Sequence, residues 1–284
     1  MKMVKADLLP CVRVGCQGWN YDDWITGAGV APVFYPKGTR AADMLTVYAR
    51  VFDTVEVDST FYAVPSTQTL DGWNKRTPRS FTFSLKLPQV ITHEWALRAG
   101  SLEELSLYCD RAQLLGEKLA VTLIQLPPHF ILTPENATAL RDFLERLPRE
   151  MRFAVEFRNS DWLHKKVIDL LSKHNVAVAL VEGQWIKREE MWRLAEEPAA
   201  DFAYIRWMGE RNLTRFREVQ RAQDENLREW AKVIVNLCNR VSHVYAYFSN
   251  FYEGHAPASA NKLKNLLGQD VTDAASLEDQ PSLF

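Results

Sequence analysis

A single (β/α)8 barrel is the fold class that the sequence predicts, and three observations predict it. Short runs rich in Val, Ile and Phe recur eight times, helical patterns bounded by Pro, Gly, Asn or Asp lie between them, and no linker or low-complexity segment interrupts the chain before residue 269. Strands alternating with helices in this way over about 250 residues make a parallel barrel. The competing open, doubly wound sheet needs a glycine-rich phosphate turn after its first strand. GCQGWNYDDW, residues 15–24, lacks the third glycine and does not open directly into a helix.

The elements follow in order. VRVGCQ (12–17) is the first predicted strand, and the helical pattern 39–51 leads to TVEVD (54–58). Helix 67–76 precedes FTFSLK (81–86), and helix 101–116, with Ser101 and Glu104 in capping-box spacing, precedes LAVTLIQ (119–125). Thr133 before Pro134 sets the start of helix 134–146, which is followed by RFAVEF (152–157). Helix 163–174 and VAVALVE (176–182) come next, then a weaker helical pattern at 186–195 and FAYIRW (202–207). Helix 224–240, HVYAYF (243–248) and helix 257–267 complete the barrel, taken as residues 1–268. Residues 269–284 carry Asp270, Asp273, Glu278 and Asp279 with no Lys or Arg, and are expected to form a flexible acidic C-terminal tail.

Composition bounds the function. The 284 residues are 47% hydrophobic and 25% charged, with 34 Lys and Arg against 36 Asp and Glu, so no global charge excess points to nucleic acid or a membrane surface. Four cysteines (Cys11, Cys16, Cys109 and Cys238) show no CxxC pair or zinc spacing, and are expected to be reduced thiols, mostly buried. The N-terminal stretch has no h-region long enough for export and no span long enough for a membrane, which predicts a cytoplasmic protein.

In a parallel barrel chemistry gathers where the strands end at their C-termini. Here that end is polar: Gln17, Glu56, Asp58, Lys86, Gln125, Glu156, Arg158, Glu182, Arg206 and Asn250 sit at or just past the last residue of a predicted strand. Period two pairs Glu56 with Asp58, Glu156 with Arg158, and Tyr204 with Arg206. Mutually satisfied ion pairs are the ordinary alternative to a ligand site. Trp19, Trp162, Trp185 and Trp207 follow strands too, as do Phe61 and Tyr62; such surfaces suit a sugar ring or a nucleobase, or simply pack loops onto the barrel. After the seventh predicted strand GERNLTRFREVQR brings Arg211, Arg215, Arg217 and Arg221, either a phosphate-binding loop or a solvated face.

The same residues carry a resemblance. Gly15 with Gly18, Trp19 and Trp24; Glu56 with Thr60, Phe61 and Tyr62; Phe83 with Lys86 and Pro88; Gln125 with Pro127 and Pro128; Glu156, Phe157 and Arg158 with Trp162; Tyr204 with Arg206 and Gly209; and Tyr247 and Phe248 with Asn250 and Gly254 are spaced as in the DUF72 (YecE-like) family of TIM-barrel proteins. The chain resembles that family from about residue 12 to 268. The resemblance implies the barrel; the family's activity is unassigned, so it implies no reaction. Gln17, Asp58, Met208 and Phe251 depart from the family pattern, which has Ser, Asn and two His there. Losing both imidazoles weakens any metal or general-base role at those positions.

These observations single out Glu56, Glu156 and Lys86 as catalytic candidates, with Gln17, Trp19, Asp58, Tyr62, Gln125, Arg158, Trp162, Arg206 and Asn250 holding ligand. The expected ligand is small and anionic or sugar-like, a phosphorylated sugar or nucleotide held by Lys86, Arg158 and Arg206 while a glutamate moves a proton. A glycosidase would use Glu56 and Glu156 as its acid and nucleophile. A Schiff-base enzyme would use Lys86, which nearby acids make an ion-paired lysine instead. No cofactor is expected. A divalent metal would draw on His93, His129 and His255, which form no HxH or HExxH pattern.

The C-terminus suggests a function of another class. QPSLF, residues 280–284, resembles the pentapeptide by which bacterial DNA-metabolism proteins dock on the replicative sliding clamp. Gln280 would bond a pocket rim while Leu283 and Phe284 fill an apolar cleft. Packing of that end on its own barrel is the alternative.

Overall fold

A computed structural model describes residues 11–27 and 33–277. Eight parallel strands close into a barrel in sequence order: β1 (Val12–Gln17), β2 (Thr54–Val57), β3 (Thr82–Lys86), β4 (Leu119–Gln125), β5 (Phe153–Glu156), β6 (Ala177–Glu182), β7 (Phe202–Trp207) and β8 (His243–Phe248). β1 pairs with β8, Cys16 opposite Phe248, so no strand edge is left open. The helices in chain order are α1 (Ala41–Tyr48), α2 (Thr67–Lys75), α3 (Leu102–Ala112), α4 (Pro134–Leu144), α5 (Lys165–Lys173), α6 (Arg188–Glu196), α7 (Asp224–Leu237), α8 (Asn250–Glu253) and α9 (Ala256–Leu266). Among the described residues no helix is long and apolar enough to cross a membrane.

Two apolar layers hold this together. Outward-facing strand residues such as Val55, Phe83, Ile124, Val155, Ile205 and Phe248 pack against the helices, each such side chain contributing roughly 1.5–3 kcal/mol by leaving water. Inside, Ala154, Ala177 and Ala179 from β5 and β6 face Phe202, Tyr204, Tyr245 and Tyr247 from β7 and β8. Small residues on one wall make room for rings from the other, so the barrel axis is filled.

Local chemistry sets the element ends. The Thr133 side chain accepts from the Asn136 N–H at 3.2 Å, with Pro134 in the first turn of α4. Ser101 differs from the expected cap: the chain is already in a helical turn at residues 99–101, and its hydroxyl donates back to the Arg98 carbonyl. α3 tightens into a 3-10 turn at Gln113, and the helical path breaks at Gly116, with a φ of 55°, where helix 101–116 was expected to end. The short α8 was not foreseen; Ser249 caps it and Gly254, at a φ of 111°, stops it. At the C-terminal side, residues 274–277 form a turn that places Leu277 in the outer core.

Candidate functional site at the barrel mouth

The centre of the barrel floor is one guanidinium shared by two carboxylates. Strand register makes this possible: Glu56 lies beside Gln17 and Ser84, Gln125 beside Glu156, and Arg206 between Val181 and Tyr247. Arg206 donates to Glu56 through Nε at 2.8 Å and Nη2 at 2.6 Å, and through Nη1 to Glu156 and, at 3.3 Å, to Gln125 Oε1. The Tyr204 hydroxyl donates to Glu56 at 2.7 Å. Glu56 is 0%, Arg206 1% and Glu156 2% exposed. A second layer of hydrogen bonds below, Tyr247 with Thr54 and Ser84, fixes the tilted Tyr204–Tyr247 pair under this triad.

Burial pushes the Glu56 carboxyl above its ordinary range, with Asp58 adding to it and Arg206 opposing. Burial acts on Glu156 in the same direction, but the charges of Arg206 and Arg158 together outweigh it and hold that carboxyl low.

Above the floor stand two further cations. Arg158 Nε donates to Glu156 at 3.0 Å, and its guanidinium lies 5.8 Å from the Trp185 ring centre. Lys86 Nζ lies 3.4 Å from Asp58 and 4.4 Å from the centre of the Phe61 ring. Burial and then Arg206 lower the Lys86 ammonium's pKa, while Asp58 acts against them. His93, beside Phe61, is pushed down to about 4 by burial and by Arg158, His129 and Lys86, so its imidazole is neutral near pH 7. Tyr62 is 72% exposed at the rim, and Trp95 and Trp185 are about half exposed on neighbouring mouth loops.

The structure thus brings together Glu56, Glu156, Arg206, Gln125, Lys86, Asp58 and Arg158. It places other expected residues differently. Trp162 is buried, stacked between Phe130 and Phe157 with its indole N–H on the Phe130 carbonyl, and so packs loops instead of facing a ligand. Trp19 meets Trp73 edge-on, at the side of the mouth. Asn250 turns away to clamp the loop after β1, its Oδ1 accepting from Trp24 Nε1 at 3.1 Å and the Ala256 N–H at 3.0 Å. Glu182 points outward: Val181 is the neighbour of inward-facing Arg206, so the last residue of β6 lies on the other face, accepting from Trp230 and, at 3.4 Å, Asn226. Gln17 Nε2 lies 3.1 Å from Met208 Sδ, so two of the residues that depart from the family pattern contact one another. Gln280, Leu283 and Phe284 lie outside the described residues.

After β7, Arg217 pairs with Asp23 at 3.5 Å and Arg221 with Glu210 at 3.4 Å, which gives part of the arginine run internal partners. Tyr204 was not among the expected site residues, although it shares the parity of Arg206 along β7. His93, considered only as a ligand for a divalent metal, is brought beside Phe61 by the turn at residues 90–94. Among the described residues no group of three or more His, Cys, Asp or Glu side chains is arranged to hold a metal ion.

A family model described as "Protein of unknown function DUF72" matches residues 13–282. The UPF0759 protein YunF of Bacillus subtilis is 25% identical over 93% of this chain and 97% of its own length. The UPF0759 protein YecE of Escherichia coli K12 is 29% identical over 54% of this chain and 51% of its own. In three dimensions a DUF72 family protein of Thermotoga maritima superposes with a TM-score of 0.74 at 26% identity, covering 91% of this chain and 99% of that one. A DUF72 family protein of Enterococcus faecalis, 18% identical with a TM-score of 0.70, shares the fold.

Proposed function

The chain belongs to the DUF72 family of proteins of unknown function, and on that footing we propose that it is an enzyme acting on a small phosphorylated ligand, a sugar phosphate or nucleotide, bound at the barrel mouth. The observation that carries this reading is Lys86: a largely buried ammonium with a lowered pKa, held over an aromatic ring and only loosely by a half-exposed Asp58. A phosphate oxygen can take the place of that carboxylate on Lys86 and bridge to Arg158, while the rings of Tyr62 and Trp185 cover a flat sugar or base. Lys86, with Asp58, then carries the proton of a hydrolase, lyase or isomerase step. Glu56 and Glu156 act on that step through Arg206. A carboxylate held on two prongs with no exposed surface reaches no glycosidic oxygen, so the geometry supports this reading over a glycosidase pair.

Titration calorimetry with a panel of sugar phosphates and nucleoside monophosphates, followed by NMR of the mixtures, tests the proposal. Binding by at least one of them, lost in Lys86→Met and Arg158→Met with folding intact, is expected. Binding that survives both substitutions, or no binding across the panel, overturns it.

A second reading concerns the C-terminal pentapeptide as a sliding-clamp ligand. It rests on the sequence of the pentapeptide; Leu277, buried in the outer core, leaves a tether of two residues before Gln280. A clamp seated there would hold the barrel close against its own surface.

A further inference from the structure

On the face of the barrel opposite the mouth, Cys11 and Cys238 meet with their sulfur atoms 3.0 Å apart, although 227 residues separate them in the chain. Cys11 immediately precedes β1, and its carbonyl accepts from the Val244 N–H at 2.8 Å, at the point where β8 begins to pair. Cys238 closes the C-terminal end of α7. Both are half-buried, whereas Cys16 and Cys109 are buried. A disulfide needs a sulfur separation of about 2.05 Å, so the two side chains are within about 1 Å of bonding distance.

We propose that Cys11 and Cys238 are a redox pair: an oxidising small-molecule disulfide converts them to a reversible cross-link that fastens the start of β1 to the end of α7. In the first step the Cys11 thiolate attacks one sulfur of the small disulfide, forming a mixed disulfide and releasing one small thiolate, which takes up a proton. Cys238 then gives up its proton, and its thiolate attacks Cys11 Sγ and expels the second small thiol. The protein loses two protons and two electrons, and one small disulfide becomes two thiols. Burial and the adjoining Cys11 sulfur raise the Cys238 thiol, and the 3.0 Å contact sets it beside the mixed disulfide that it must attack. The bond would close most of the chain into one loop, the arrangement in which a cross-link restricts the unfolded state most.

Incubation of the full chain with oxidised glutathione, alkylation of remaining thiols and peptide mass spectrometry test this. The expected result is a Cys11–Cys238 linked peptide, removed by reductant, with Cys16 and Cys109 alkylated only after unfolding, and a thermal midpoint several degrees above that of the reduced protein. Cys238→Ser should stop at a glutathione adduct on Cys11, and Cys11→Ser should form no cross-link. Alkylation of both Cys11 and Cys238 after treatment that fully oxidises a reference dithiol overturns the proposal, as does a linked peptide joining any other pair.

Discussion

The Arg206 guanidinium and the Glu56 carboxylate are joined by two parallel hydrogen bonds in the middle of the barrel floor, at 2.8 and 2.6 Å, with essentially no surface on either side chain. This planar, two-pronged match also leaves one Arg206 nitrogen for Glu156.

Arg206→Leu therefore takes the shared charge partner from two buried carboxylates at once, leaving Glu56 only the Tyr204 hydroxyl and Glu156 only Arg158. The expected cost is about 3–5 kcal/mol in urea unfolding. Arg206→Lys should recover little of it, because a point charge cannot span both partners. Loss of less than about 1 kcal/mol in the leucine variant would mean that the floor is far wetter than its burial indicates.

Asp58→Asn removes the acid that shares Lys86 and leaves the barrel floor unchanged. If an anion competes with Asp58, inorganic phosphate should bind about fivefold more tightly, the equivalent of about 1 kcal/mol for a pair whose carboxylate is half-exposed. Calorimetry at low ionic strength reads this directly. A weaker affinity in the variant would show that Asp58 contacts the ligand itself.

Burial lowers the His255 imidazole from 6.5 to about 4. A histidine that is neutral in the fold and protonated when unfolded leaves stability level above about pH 6.5 and erodes it as pH falls towards 4. The loss is on the order of 3 kcal/mol at the bottom of that window. Urea unfolding across the window should show the slope, and His255→Gln should reduce it, leaving the part due to His93. An unchanged slope assigns the acid sensitivity to other groups.

Gly209 and Gly38 both have left-handed backbone, with φ of 63° and 82°. A Cβ at Gly38 meets nothing within 4 Å, whereas at Gly209 it would lie 2.1 Å from the Phe251 carbonyl oxygen. Alanine should cost about 1–2 kcal/mol at Gly38 from backbone strain alone. At Gly209 the same substitution must also displace α8, so its thermal midpoint should fall clearly further; equal shifts would contradict the close approach.

A fluorescent peptide of residues 269–284 should bind a bacterial sliding clamp, and the Leu283→Ala, Phe284→Ala peptide should not. Anisotropy titration to high micromolar clamp decides the matter, since recognition by two apolar anchors fails when both are truncated.

Much of the fold was legible because alternation and helix patterns are local. The eight strands and their order came from runs such as LAVTLIQ, and the inward set Glu56, Glu156 and Arg206 from period two. What escaped depends on relations between distant residues. Glu182 was read as facing the mouth because sequence carries no register; only its pairing beside Trp207 shows that it faces out. Ser101 had a capping-box spacing, yet the preceding turn had already started the helix. The Gln17–Met208 and Cys11–Cys238 contacts join residues 191 and 227 positions apart, and no spacing rule reaches that far.

The tyrosines and alanines that fill the barrel beneath Arg206 make the mouth a blind well. A ligand bound as proposed would therefore leave by the opening it entered, past Tyr62 and Trp185, and a product would have to clear that rim before the next molecule could settle.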